Sequence, residues 1–308
     1  MMVMSIPPKY EPRYSARSQL QEQQAIQAML MYASVRGYQV YLPFAPADGP
    51  PARIPWDKVR VLYQAMIINP HVDWFFVIDN DVLPIMVDTP LINSTGHVLA
   101  EPWSLELKYA SNAQPDLIVT GDPALIYGGD PHPNRGINSG VIGIRNGEWG
   151  RAFVRNMTII GADWTLGDIT YDCEHGRKCH HDCVGGWCST MKAFFGHNFM
   201  YSVYDQHAVV YLLRQLSALE RRRVLLANWA FNYPTQISEA TSHWRPKNVI
   251  FQHWPGCTMG RAVLPMAGFG NETAREECFE TWASWFQNVS DSLTTLESGR
   301  LQRALARP

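Results

Sequence analysis

A chain of 308 residues, 46% hydrophobic and 18% charged, carries enough apolar material for a sizeable core in one large or two modest domains. A net charge of −2 argues against nucleic acid or an anionic membrane surface as the principal partner. No stretch approaches the ~18 apolar residues that span a bilayer, and MMVMSIPP at the start is too short for the apolar region of a signal peptide. Any targeting segment or membrane anchor is therefore expected upstream of residue 1.

In chain order, MMVMSI reads as a short strand ended by Pro7-Pro8. Residues 17–36 place Ile26, Met29, Leu30 and Ala33 at helical spacing, with Gly37 to stop the helix. YQVYLPF, 38–44, alternates like a second strand, and strand-helix-strand begins a right-handed parallel unit. Residues 45–55 hold four prolines and a glycine and form a loop. Residues 56–68 carry one apolar stripe of Val59, Leu62, Tyr63, Met66 and Ile67, and Asn69-Pro70 ends that helix. WFFVI, 74–78, is rich in aromatic and β-branched residues and reads as a buried strand of a parallel sheet. PDLIVTGD, 115–122, is another buried strand. INSGVIGIRN, 137–146, alternates small and apolar residues and is expected to cross back beneath the end of the central strand. A helix from Asp205 carries Val209, Leu212, Leu213 and Leu216, and VLLANWAFNYP and VIFQHWPGC are late strand-like pieces. From Asn271 a final helix places Cys278, Phe279, Trp282, Trp285 and Phe286 on one face. The class is α/β, with strands alternating with helices in one domain over 1–290, a Cys/His-rich insertion at 161–198, and a polar tail over 291–308 that is either helical or frayed.

Four constellations could carry chemistry. The central strand runs straight into Asp79-Asn80-Asp81. Two Asp at i and i+2 at a strand's carboxyl end can face one point outside the sheet, where α/β folds place ligands, and their oxygens suit Mg²⁺ or Mn²⁺. The same residues also serve a plain polar turn. Asn138-Ser139-Gly140, with Asn134 and Arg135 before it, offers amide and hydroxyl groups for sugar hydroxyls, and Gly140 lets the backbone approach a ligand; a simple loop-to-strand turn is the other reading. Asp205-Gln206 at a helix start either caps the helix or faces the ligand. His253, before Trp254-Pro255-Gly256-Cys257, is either a structural histidine or a nitrogen ligand to a metal already held by carboxylates. The glycine-rich loop 127–136 lacks the spacings of the dinucleotide and P-loop motifs, which excludes those nucleotide folds.

The six cysteines are even in number, and Cys173, Cys179, Cys183 and Cys188 crowd into one segment. Sequons stand at Asn93, Asn156, Asn271 and Asn288, so an oxidising secretory compartment is expected. Within CEHGRKCHHDCVGGWC, the Cys-x₅-Cys-x₃-Cys-x₄-Cys spacing, with His175, His180 and His181 between, departs from the paired Cys-x₂-Cys knuckles of structural zinc. Two disulfides of undetermined connectivity are the favoured reading, leaving Cys257 and Cys278 for a third bridge.

Taken in order, these pieces resemble glycosyltransferase family 34, which groups fungal Golgi galactosyl- and mannosyltransferases with plant xyloglucan xylosyltransferases. The resemblance begins with WDKVRVLYQAMIINPHVDWFFVIDND, continues through INSGVIGIRNGEW, and takes in YDQHAVVYLL and HWPGC, covering most of residues 56–260. It implies a GT-A fold, with one mixed central sheet flanked by helices as the catalytic domain over 1–290, a UDP-sugar donor, Mn²⁺, transfer to a glycan or glycoprotein acceptor with retention of configuration, and the Golgi lumen, as the lumenal part of a type II membrane protein. On that analogy Asp79, Asp81 and His253 hold the metal. Asn80, Ser139, Gly140, Gly256 and Arg261 line the donor, and Asn138, Asp205 and Gln206 face the reacting centre. Thr258 stands where family members commonly carry a basic residue, leaving Arg261 or Arg135 to supply charge to the diphosphate. The segment 173–188 lies outside the pattern. Two rivals are another Asp-x-Asp transferase of arabinosyl or galactosyl type and a non-catalytic carbohydrate-binding protein on the same fold.

Overall fold

A computed structural model describes residues 1–4, 16–43, 54–92, 115–123, 126–127, 136–165, 190, 194, 205–228, 231–234, 249–253 and 272–305. The elements are, in order, β1 (Met2–Val3), α1 (Ala16–Arg36), β2 (Val40–Tyr41), α2 (Ile54–Ile68), β3 (Trp74–Ile78), β4 (Val82–Pro84), β5 (Leu117–Gly121), β6 (Ile137–Arg145) and α3 (Glu148–Thr165). Then come α4 (Asp205–Gln215), α5 (Ala218–Arg221), β7 (Val224–Ala227), β8 (Asn232–Pro234), β9 (Phe251–His253) and α6 (Glu272–Leu305).

Six strands make one mixed sheet in the order β2-β1-β3-β6-β5-β7. β3 pairs in parallel with β1 but antiparallel with β6, so the all-parallel environment expected for the central strand holds on one side only. β6 is the cause: it runs back between β3 and β5, antiparallel to both. Its small residues make this fit. A Cβ on Gly143 would lie 2.7 Å from the Phe76 ring.

Because side chains alternate along a strand, β3 feeds two cores. Phe75 and Val77 join Val59, Leu62 and Met66 of α2, Phe153 and Met157 of α3, and Val209 and Leu213 of α4. Trp74, Phe76 and Ile78 face Ala25, Met29 and Tyr32 of α1 and Trp282, Val289 and Leu293 of α6. Every residue of β3 is buried, which is why its sequence is a continuous apolar run rather than an alternating one.

One element differs from the sequence reading. α3 was not anticipated, since Gly147, Gly150 and Gly161 lower helix propensity in that stretch. Two of those glycines are needed: a Cβ would meet the Arg145 carbonyl at 2.1 Å from Gly150 and the Trp56 ring at 2.4 Å from Gly161. Of the two forms open to the C-terminal tail, the structure has the helical one: α6 continues unbroken past residue 290 to Leu305. Leu293 is fully buried and Arg300 Nη1 donates to the Ser34 carbonyl at the end of α1, so this end of the helix is docked. A second, three-stranded sheet, β4-β9-β8, sits beside the main one and carries residues of the candidate site. Among the described residues no helix is long and apolar enough to cross a membrane.

Candidate metal centre and the fold it sits on

The antiparallel ladder between β3 and β6 extends one step beyond β3. The Asp79 N–H donates to the Gly140 carbonyl at 2.8 Å, which pins the first carboxylate over the sheet's edge. Asn80-Asp81 then turn the chain into β4, and β4 pairs antiparallel with β9 in a register that sets Val82 opposite His253. That register delivers the histidine to Asp81. His253 Nε2 lies 3.1 Å from Asp81 Oδ1 and 3.9 Å from Asp79 Oδ2. Asp81 Oδ1 is buried and otherwise without a hydrogen-bond partner among the described residues. One ligand atom from each of Asp79, Asp81 and His253 falls within 4.8 Å of the others. Two carboxylates and an imidazole at this separation fit a divalent cation.

The structure adds a residue that the sequence reading did not single out. Lys58, on the first turns of α2, is 6% exposed and reaches up to the sheet edge. Its Nζ donates to Asp79 Oδ1 at 2.7 Å and to the Ser139 carbonyl at 3.2 Å, and forms an ion pair with Asp205 Oδ2 at 2.9 Å. Asp205, at the N-terminal end of α4, is 3% exposed, so α4 meets the sheet through a buried carboxylate. Gln206 beside it donates from Nε2 to the Ile137 carbonyl at 2.8 Å and accepts from Ser139 Oγ at 3.2 Å. The signal in the sequence was a lysine on the buried face of α2, four and seven residues before Leu62 and Ala65.

Glu22 of α1 was also missed. It is 9% exposed and hydrogen-bonds the Asn80 side chain, which anchors the middle of the Asp-x-Asp turn to α1. Gly140 leaves room, as expected of a glycine here, but the room is filled by protein. A Cβ there would meet His253 Nδ1 at 2.5 Å and Cε1 at 2.7 Å. Thus Asp79, Asn80, Asp81, Asn138, Ser139, Gly140, Asp205, Gln206 and His253 converge on one place, while Gly256, Arg261, Thr258 and the cysteine-rich segment lie outside the described residues.

The Asp79, Asp81 and Asp205 carboxylates face the Lys58 ammonium and the His253 imidazole, and the resulting fields shift Lys58, Asp79, Asp81 and His253. Burial works against a charge on Lys58, yet Asp205 and Asp79 outweigh it and raise its pKa. Burial lifts Asp79 to about 6, opposed by Lys58 and reinforced by Asp81. For Asp81 burial acts upward, but the adjacent His253 prevails and lowers the carboxyl below its ordinary value. His253 moves the other way: burial disfavours its charged form, and Asp81 and Asp79 nonetheless raise it. Burial, then the negative field of Asp81, push Glu22 from 4.5 to about 8 despite its bond to Asn80. A cation held by Asp79 and Asp81 would compete with a proton for His253 Nε2 and would offset the negative charge of the carboxylates.

A crystal structure of a glycosyltransferase involved in glycosylation of the major capsid of PBCV-1 superposes with a TM-score of 0.50 at 13% identity, covering 92% of this chain and 98% of that one. The galactosyltransferase LgtC with donor and acceptor sugar analogues gives 0.42 at 11% identity over 93% and 95%. Mouse xyloside xylosyltransferase 1 gives 0.38 at 10% over 83% and 98%. Among proteins of curated function none matches the chain in sequence. The mixed sheet flanked by helices is the GT-A fold of glycosyltransferases. The pattern of the galactosyl transferase GMA12/MNN10 family matches residues 1–263, and the chain belongs to that family of glycosyltransferases.

Two outcomes follow from the charge arrangement. Lys58→Met leaves Asp79 and Asp205 buried without their shared cation and is expected to cost about 3–5 kcal/mol in urea denaturation at pH 7; adding Asp205→Asn should recover part of that loss. The Glu22 shift has a sign that can be tested in metal-free protein. The folded state holds a proton that the unfolded chain releases above 4.5, so Glu22 makes stability fall as pH rises from 4.5 to about 8. Glu22→Gln should flatten the melting temperature over that window, and an unchanged slope would show that the carboxyl does not titrate there.

Proposed function

We propose that this glycosyltransferase uses a divalent metal, Mn²⁺, to move a sugar from a UDP-sugar donor to a glycan or glycoprotein acceptor with retention of configuration. The observation that carries the reading is the convergence of Asp79, Asp81 and His253 on one point at the carboxyl end of the central sheet. When bound there, the cation would act as a Lewis acid on the diphosphate that leaves.

The chain's own groups have definable tasks around that centre. Asp79 and Asp81 would supply oxygens and His253 a nitrogen. Lys58 holds Asp79 and Asp205 in fixed relation, 2.7 and 2.9 Å from its Nζ. Asp205 is the carboxylate closest to the metal group on the α4 side, and an aspartate already paired with an ammonium is a weak nucleophile. Its more natural work is to stabilise an oxocarbenium-like sugar. In that case the bond from the anomeric carbon to the β-phosphate oxygen breaks on the same face where the acceptor hydroxyl attacks. The hydroxyl proton passes to the departing diphosphate oxygen. Gln206, tied to β6 through Ile137 and Ser139, fixes the end of α4 against this centre.

Titration calorimetry of UDP with and without Mn²⁺ tests the metal assignment. The parent should bind UDP in a metal-dependent way, and Asp81→Ala should lose that dependence. Equal dependence in the variant would remove Asp81 from the site. A panel of UDP-sugars screened for slow donor hydrolysis names the sugar without needing the acceptor.

We place the enzyme in the lumen of a secretory compartment, the Golgi, on its even cysteine count and four sequons. Two of the sequon asparagines, Asn156 and Asn288, are exposed on α3 and α6. Protein from a secretory host should gain mobility on a gel after N-glycosidase treatment; no shift at any sequon would argue for another compartment.

A further inference from the structure

Among the described residues, the side-chain hydrogen bonds of Asn138 all run to its oxygen. That atom accepts the Gly140 backbone N–H at 2.9 Å and Asn232 Nδ2 at 2.8 Å, and lies 3.0 Å from His253 Nδ1. A backbone N–H only donates, so the Asn138 atom it meets is the oxygen and not the nitrogen. The polarity passes one residue further. An amide oxygen only accepts, so the Asn232 atom facing it is the nitrogen. Turning Asn232 alone would set two oxygens together, and turning Asn138 would set its NH₂ against the Gly140 N–H.

Asn232 holds this arrangement at a cost. It is fully buried on β8, and its Oδ1 has no hydrogen-bond partner among the described residues. An enclosed, unpaired amide oxygen is unfavourable, and a leucine of similar size would avoid it. What a leucine cannot do is donate to Asn138.

With its oxygen occupied, Asn138 has its NH₂ left to offer. Asn138 keeps 6% of its surface exposed where Asn232 keeps none, and its NH₂ is not sealed away as the Asn232 oxygen is. The position is the sheet edge at which the Gly140 carbonyl holds the Asp79 N–H.

The geometry points to Asn232 as a positioning residue of the donor site, one that fixes the Asn138 amide with its oxygen inward so that the ligand meets N–H groups only. The ligand atom that fits is an accepting oxygen, of the β-phosphate or of the transferred sugar; a sugar hydroxyl at this point accepts and does not donate. The ligand assignment rests on the donor reading given above, whereas the amide polarity belongs to the free protein and is read without any ligand.

Side-chain ¹H–¹⁵N NMR on the ¹³C,¹⁵N-labelled, metal-free full chain measures how fast both amides exchange with water, each NH₂ being assigned through its bonds to its own backbone. The Asn232 NH₂ should be protected and the Asn138 NH₂ should exchange faster; the reverse order overturns the proposal. UMP, UDP, UDP-glucose, UDP-galactose and UDP-xylose are then added with Mg²⁺, which leaves the signals sharp. The Asn138 NH₂ should shift with UDP but not UMP if the oxygen belongs to the β-phosphate, and only with a sugar nucleotide if it belongs to the sugar. A shift already complete with UMP, or a bound sugar nucleotide that leaves this NH₂ unmoved, overturns the proposal. Asn232→Leu should lose the ligand-induced shift and bind the same ligand about 3- to 10-fold more weakly. A folded Asn232→Leu with parental affinity removes the positioning role, and if this variant does not fold, the parent's exchange order and shifts still decide. Binding of none of these ligands overturns the donor reading and the ligand assignment with it, while the exchange order still settles the polarity.

Discussion

The Lys58 ammonium, held between Asp79 and Asp205, is the interaction on which the site depends. It ties together the start of α2, the end of β3 and the start of α4, three elements that also share one apolar core. Burying a cation with two anions is costly in desolvation and is not by itself a source of stability. Its effect is to specify geometry, because no rearrangement of α2 or α4 can leave either carboxylate inside without its partner. The apolar clusters supply the driving force, and the buried charges fix where the helix ends stop.

A second constraint works at the level of the backbone. β6 runs antiparallel beside β3, so the Gly140 carbonyl can hold the Asp79 N–H while the bare α-carbon of Gly140 admits the His253 ring. One glycine therefore sets the position of two members of the metal group. The small second sheet completes the arrangement. The β4–β9 register brings His253 beside the residue that follows Asp81, across most of the chain's length.

Much of this was legible in the residues. The apolar run of β3, the stripe of α2 and the helix opening at Asp205 follow from side-chain periodicity, and the two carboxylates after β3 marked the site. The order of motifs identified the family whose pattern matches residues 1–263. Less legible were the elements whose local signal is contradicted by glycine. α3 carries Gly150 and Gly161 because neighbouring groups, the Arg145 carbonyl and Trp56, leave no room for a methyl group, a requirement that no helix propensity records. The polar content of residues 291–305 fits a helical or a frayed tail equally, and the burial of Val289 and Leu293 beside α1 decides for the docked helix.

By itself, the sequence determined that this is an α/β chain with an acidic pair at the end of its central strand and the ordered motifs of a glycosyltransferase family. Those are properties of residue type and spacing, to which local geometry responds directly. Only the tertiary structure decided which groups face one another: that Lys58 bridges Asp79 and Asp205, that Glu22 holds Asn80, and that Asn232 reaches Asn138 beside His253. Those partners sit on different elements, and their distances are fixed by sheet order and register. A linear spacing carries no information about such contacts, because the pairing of strands brings them together from remote parts of the chain.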